Sequence, residues 1–331
     1  MVEQVRSLLV QLYKGLMRMR CDNLSKYDVI GDIHGHANDL IELLEHLDYK
    51  KVDGCYRHAE RQVIFLGDFV DRGSNQRKVL DIVMPMVNQK AALAVMGNHE
   101  LNALAYHTNH PSDKEKWLRP RTNRNTGQHL AFLQDYLGDE QGLTEVLNWF
   151  KQLPLWLELP GLRAIHAYWH EPSMQVLEKH LGENNTLTPE LLFRATSKDD
   201  YCFDAVELLL KGLELKIPDG GYFYDKDGNK RTFMRTQWWV NEAKTFGDIS
   251  IPFDLLKGLE AEYAPLDSSN WHGYAPSEPP LFMGHYWFKG TPKKLADNVA
   301  CLDYSVARGG KLVAYRFDGE QVLDNDKFVF V

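Results

Sequence analysis

The sequence predicts an α/β fold built in layers, and two observations predict it. Short apolar runs recur along the chain, each ending in a glycine-bounded polar turn and each followed by residues at helical spacing. The composition is that of an ordinary globular chain, 44% hydrophobic and 25% charged over 331 residues, enough for a sizeable core. Strands alternating with helices stack into layers, and ligands in such folds collect at the carboxyl ends of the strands, where the polar turns lie.

Taken in order, residues 1–20 carry Val5, Leu8, Leu9, Leu12 and Leu16 at helical spacing, an amphipathic helix with no small-residue cleavage site that would mark a signal peptide. Tyr27–Ile30 reads as a strand running into Gly31-Asp32-Ile33-His34-Gly35, and Leu40, Leu43, Leu44 and Leu47 then mark a helical face. Gln62–Leu66 runs into Gly67-Asp68, with a helix over 75–87, and Ala91–Met96 runs into Gly97-Asn98-His99-Glu100 and a further helix. Residues 107–125 hold little apolar content and read as a surface loop; 126–152 read as helical. Residues 155–159 and 162–166 read as strands joined by Pro160-Gly161, 171–215 as mostly helical, and 222–231 as a hairpin around a glycine-containing turn. A loop over 262–280 leads to strands at 281–283 and 299–303, then to a final hairpin of Lys311–Phe317 and Gln321–Leu323 turning at Asp318-Gly319. No stretch has linker composition, so residues 1–331 read as one domain with an insertion over about 171–260.

The formal net charge is -8, from 46 acidic and 38 basic side chains, which argues against a broad nucleic-acid or anionic-membrane footprint. No run reaches the roughly 18 apolar residues of a membrane helix. Cys21, Cys55, Cys202 and Cys301 are far apart and form no C-x-x-C pair, so reduced, mostly buried thiols and a cytoplasmic setting are expected.

Three turns carry the chemistry: Gly31-Asp32-Ile33-His34-Gly35, Gly67-Asp68-Phe69-Val70-Asp71-Arg72-Gly73 and Gly97-Asn98-His99-Glu100. Each offers oxygen or imidazole donors at a strand end. Taken singly, Asp68 or Asp71 could be a helix N-cap and Asn98-His99 an ordinary turn. Together, at intervals of about 30 to 36 residues, they look like a metal centre. Mixed Asp, His and Asn donors suit Mn, Fe or Zn better than Mg alone, and a carboxylate can bridge two ions about 4 Å apart that clamp an in-line displacement at phosphorus.

This ordered set resembles the signature of the phosphoprotein phosphatase (calcineurin-like) metallophosphoesterases, nearly complete over residues 31–100. The resemblance implies a four-layer α/β/β/α sandwich with a helical insertion. It adds two late metal histidines after apolar strands, positions that His166 and His285 match. Asp32, His34 and Asp68 would hold one divalent ion, and Asp68, Asn98, His166 and His285 the other, with Asp68 as bridge; the ions would be Mn, with Fe, Zn or Ni as alternatives. A hydroxide held between them would attack phosphorus, Arg72 and Asn98 would bind phosphate oxygens, and His99, oriented by Asp71, would protonate the leaving oxygen. Tyr168 stands where the family has glycine, and His170 is a rival to His166. The family's second phosphate arginine is matched to Arg235, or secondarily to Arg194. The C-terminal run Cys301-Leu302-Asp303-Tyr304 … Gly309-Gly310-Lys311-Leu312 resembles the bacterial diadenosine-tetraphosphatase branch.

The expected activity is therefore that of a two-metal phosphatase acting on a phosphorylated protein or small phosphomonoester. A dinucleoside polyphosphate hydrolase is the alternative, a polynucleotide end phosphatase, which the acidic charge disfavours, is a third option, and a catalytically silent metal-binding scaffold is the non-enzymatic one. Neither nucleic acid nor a membrane is expected as a partner. Asp225-Lys226-Asp227-Gly228 lacks the spacing of a calcium loop and Gly309-Gly310-Lys311 lacks that of a P-loop. His46, His58 and His180 read as solvated, and Trp238 and Trp239 as packing residues.

Overall fold

The computed structural model describes residues 26–331 apart from 225–228, 254, 268–270 and 272. The expected N-terminal helix, Cys21 and the turn at 225–228 lie outside the described residues.

The elements follow in chain order: β1 (Tyr27–Ile30), α1 (Ala37–His46), β2 (Lys50–Val52), β3 (Cys55–Arg57), β4 (Gln62–Phe65), α2 (Gln76–Asn88), β5 (Ala92–Ala94) and α3 (Asn98–His107). Next come β6 (Asn109–His110), β7 (Asp113–Trp117), α4 (Asn123–Asp135), α5 (Glu140–Phe150), β8 (Trp156–Leu159) and β9 (Leu162–Ile165). The inserted region holds α6 (Glu171–Leu177), α7 (Pro189–Arg194), α8 (Tyr201–Lys211), β10 (Glu214–Lys216), β11 (Phe223–Tyr224), β12 (Lys230–Arg231), β13 (Phe233–Thr236), α9 (Phe246–Ile249) and β14 (Ser250–Ile251). The chain closes with β15 (Leu281–Met283), β16 (Val299–Cys301), β17 (Asp303–Tyr304), β18 (Lys311–Phe317) and β19 (Phe328–Phe330).

Among the described residues, one sheet runs β17-β18-β1-β4-β5 with β19 on the far side of β18, and a second runs β16-β15-β9-β8. β1, β4 and β5 are parallel, as are β9, β15 and β16. Strand alternation sorts their side chains into two cores. Tyr27, Val29, Ile64, Val95, Val313 and Tyr315 of the first sheet cluster with Leu162, Ala164, Phe282 and Ala300 of the second, so the sheets face each other. The opposite faces (Ile30, Phe65 and Ala314; Ile165, Met283 and Cys301) join a cluster with helix residues such as Leu40, Leu44, Val79, Val83, Leu177 and Leu209. The result is the α/β/β/α sandwich. The wholly apolar burial of β15 and β16 reflects strands covered on both faces. Asp28, fully buried in β1, is held by Arg61 Nε and Tyr49 Oη, each at 3.0 Å. Arg61 also donates to Tyr27 O and Phe317 O, tying together the strands that flank it.

Three expectations need correction. Residues 109–117 form the β6–β7 hairpin and not a loop; its residues are mostly exposed, so no apolar alternation announces it. The partner of β18 at the C-terminus is β19, not 321–323, in the register Val313↔Phe330. Leu323 is instead buried between the sheets, and the Phe328 ring lies 5.0 Å from that of Tyr315. The insertion is mainly helical only as far as Lys211, with the single-turn α9 the one α-helix after it among the described residues. Beyond it, β10, β13 and β14 form a small antiparallel sheet over a separate core of Ile217, Met234, Ala243, Ile249 and Leu256.

Candidate metal and phosphate site

The three polar turns converge because their backbones bond to one another. Ile33 N and His34 N both donate to Asp68 O, at 3.1 and 2.8 Å, Gly35 N donates to Phe69 O at 2.8 Å, and Gly73 N donates to His34 O at 2.9 Å. Glu100, buried in α3, accepts from Asp68 N (2.8 Å), Phe69 N (2.9 Å) and Gly97 N (3.0 Å), joining the second turn to the third. Gly67 is required here: its φ is +87°, and a Cβ would lie 2.4 Å from Gly97 N. His34, Asp68, Asp71, Arg72 and His285 all take φ between 46° and 75°, a conformation that side chains disfavour and that surrounding structure must hold in place.

The side chains meet around Asp68. Its Oδ2 lies 3.5 Å from His166 Nε2, 3.6 Å from His34 Nε2 and 3.9 Å from His99 Nε2. His34 Nε2 is 4.0 Å from Asp32 Oδ2. Asn98 Oδ1 is 3.1 Å from His166 Nε2 and 2.9 Å from His285 Nδ1, and His285 N donates to Asp32 Oδ2 at 3.1 Å. Two groups thus share one carboxylate: His34, Asp68 and His99, and Asp32, Asp68 and His166, each with donor atoms within 4.8 Å of one another. All these residues are buried.

The tautomers suit a cation. His34 Nδ1 faces Val70 O at 3.0 Å and His166 Nδ1 faces Leu66 O at 2.7 Å, so each Nδ1 carries a hydrogen and each Nε2 is turned toward the carboxylates. His34 Nε2 is buried without a hydrogen-bond partner, one of three such side-chain atoms among the described residues. A lone pair stranded beside two carboxylates fits metal ligation. The electrostatics keep His34 neutral, whereas His166 and Asp32 favour protonated forms that a bound cation would have to displace. Burial pushes Asp32 well above the usual carboxylate range, with Asp303 and Asp68 adding repulsion, and burial drives His34 down to about 3. Burial would also raise Asp68, but His166, His99 and His34 hold it well below the ordinary range; burial opposes charge on His166, yet Asp68 lifts it to about 10. Burial and the Asp68 charge push Glu100 up to about 7, while three N–H donors favour its carboxylate form.

At the mouth, Arg72 Nη2 is 3.2 Å from His99 Nε2, and its guanidinium lies 4.1 Å from the centre of the Trp287 ring. Arg235 donates to His285 O at 3.2 Å. Arg194 is elsewhere, paired with Asp200 at 2.8 Å and with His180, which is therefore not the solvated side chain expected. His170 bonds Ser173 Oγ at 2.8 Å, outside the cluster. Trp238 and Trp239 are buried packing residues; the Tyr168 ring lies tilted against Trp238 with centroids 4.5 Å apart.

The family model for calcineurin-like phosphoesterases matches residues 25–217, more than half of the chain. The chain belongs to that family. Its members are hydrolases with a dinuclear divalent metal centre, and the Asp/His groups around Asp68 fit one. Within the family, the chain is 44% identical over 75 residues to a bis(5'-nucleosyl)-tetraphosphatase PrpE [asymmetrical] of Oceanobacillus iheyensis, and 41% identical over 75 residues to that of Halalkalibacterium halodurans. Each match covers 22% of this chain and 30% of the relative, so the chain spans about a third of the length of the curated relatives it matches. A solved cold-active protein-tyrosine phosphatase of a Shewanella psychrophile aligns over 91% of this chain and 81% of its own, with 15% identity and a TM-score of 0.47.

Sequence reasoning gave no role to several residues of this calcineurin-like site. Glu100 and Asp303 stand inside the motif runs already singled out; Asp303 is buried and accepts from Trp287 N at 2.8 Å and Ser305 N at 3.0 Å. His129 and His107 had no such signal beyond His129 standing three residues before Phe132 on one helical face.

Proposed function

We propose that the chain is a two-metal phosphoester hydrolase acting on a phosphorylated protein or small phosphomonoester. The observation that carries this reading is the shared Asp68 carboxylate, flanked on either side by imidazoles and facing the partnerless His34 Nε2. Asp32, His34 and Asp68 would hold one ion; Asp68, Asn98, His166 and His285 would hold the other, with Mn proposed and Fe, Zn or Ni as alternatives. Bound there, divalent ions supply Lewis acidity and an activated water.

The chain's own residues do the rest. Arg72 grips two phosphate oxygens with its planar guanidinium, and Arg235, at the rim beside His285, offers a second cationic contact. His99 Nδ1 is fixed on Asp71 Oδ2 at 2.5 Å, which leaves Nε2 to face the leaving oxygen as the proton donor. Arg72 faces that same nitrogen, so an anionic phosphate that draws Arg72 onto itself also frees His99.

Hydrolysis of a dinucleoside polyphosphate is the second reading. It is supported by the name of the relatives and by Arg308, whose guanidinium lies 4.4 Å from the Trp287 ring that Arg72 also covers. A polyphosphate chain offers a second anionic group to such a pair. The reduced, buried Cys55, Cys202 and Cys301 support a cytoplasmic setting.

The test is Mn-dependent phosphate release with a phosphopeptide and diadenosine tetraphosphate supplied in parallel. Release from the phosphopeptide supports the leading reading. Cleavage of the dinucleotide alone replaces it with the second, and metal binding without turnover of either supports a silent scaffold.

A further inference from the structure

Behind His99 lies a chain of groups, buried at Asp71 and His129 and half-buried at His107, that the proposed reaction does not yet use. Asp71 is engaged on both oxygens: Oδ2 meets His99 Nδ1 at 2.5 Å, and Oδ1 meets His129 Nδ1 at 2.7 Å. His129 Nε2 in turn lies 3.3 Å from His107 Nε2. His99 and His107 stand at opposite ends of α3, and His129, on α4, reaches Asp71 and His107. Asp71 and His129 are 1% and 2% exposed, so no solvent competes for these bonds.

We infer that His129 is a positioning residue for phosphoester hydrolysis, locking Asp71 so that Asp71 locks His99. A carboxylate bonded through one oxygen can still rotate about its last torsion; one bonded through both cannot without breaking a bond. The His129 ring is itself fixed. It stacks on Phe132 with centroids 4.7 Å apart and planes 20° from parallel, and Tyr106 packs at 5.2 Å. His129 Nδ1–H donates to Asp71, so its Nε2 accepts from His107 Nε2–H. The arrangement follows the logic by which a buried acid orients a catalytic histidine, extended by one residue. It rests on the reading of His99 as the proton donor.

The leaving group tests it. Proton donation matters most when the departing oxygen is strongly basic, so mispositioning of His99 slows an alkyl phosphate more than an activated aryl phosphate. With Mn-loaded full-length protein, His129→Leu should lower kcat on a phosphoserine peptide by about 10- to 100-fold, and on p-nitrophenyl phosphate by far less, with metal content unchanged. His129→Asn, which keeps a donor near the Nδ1 position, should recover most of the loss. His107→Ala leaves Asp71 and its partner in place and should show the same leaving-group bias more weakly, which keeps the test decisive if His129→Leu does not fold. Equal losses on both esters, or no loss, overturn the inference while the hydrolase reading stands. Wild-type protein that cleaves neither ester refutes that reading and this inference with it.

Discussion

At the scale of single residues, His99 is held at three points. Its backbone N–H donates to Asp68 Oδ1 at 2.9 Å, its Nδ1 is bound to Asp71, and its Nε2 faces Arg72. Burial opposes charge on it, but Asp68 and Asp71 raise its pKa. Because it is read as a proton donor and not a ligand, His99→Asn should cut turnover by roughly 10² or more while metal content stays near that of the wild type; metal analysis beside initial rates checks both halves. His107 tests the electrostatics of the same cluster. Burial, with His129 and Arg121 nearby, pushes it down to about 4 from the usual 6.5. Between those values the unfolded chain binds a proton that the folded chain refuses, so this histidine makes the fold lose stability as pH falls through that window. His107→Gln should therefore flatten the dependence of Tm on pH between about 4 and 6.5, and parallel wild-type and variant curves would contradict the neutral, half-buried ring. The motif residues were legible at this scale because glycine, Asp, His and Asn at strand ends announce their chemistry. His129 and His107 were not, since a histidine on a helix face reads the same whether it bonds an acid or water.

At the scale of elements, the site is a weld between turns and not a set of independent loops. Glu100 holds three N–H groups from two of the turns, on a helix whose first residues also supply Asn98 and His99. Glu100→Gln would replace an acceptor oxygen with an NH2 facing N–H donors. It should cost about 1–3 kcal/mol of stability and loosen metal binding, as read by denaturant unfolding and by metal titration. Unchanged values in both would show that the two turns are held by other means. The strand-turn-helix rhythm of residues 27–107 was readable because each element buries an apolar face within its own sequence window. The β6–β7 hairpin was not, because its mostly exposed residues carry no burial pattern. Nor was β19, because it finds its partner across a connection that includes the buried Leu323. The small sheet of the insertion pairs Glu214–Lys216 with Phe233–Thr236, too far apart for local patterning to reveal.

At the scale of the whole molecule, two sheets packed face to face bring the ends of β1, β4 and β9 and the turn after β15 to one place. The fold thereby concentrates Asp32, Asp68 and Asp303 in a buried cluster. Grouped carboxylates repel, and a divalent cation offsets that repulsion, so metal and fold should stabilise each other. The location of the site at strand ends followed from the strand-turn pattern, and the layer order from the family resemblance. The arrangement of the insertion did not. The most direct test of the account is the Mn stoichiometry of the wild-type chain and of Asp68→Asn, measured by equilibrium dialysis with hydrolysis assayed on the same samples. The account predicts two ions per wild-type chain, and loss of both bound metal and activity when the shared carboxylate becomes an amide that cannot bridge them. An Asp68→Asn protein that keeps both ions and full activity would contradict it.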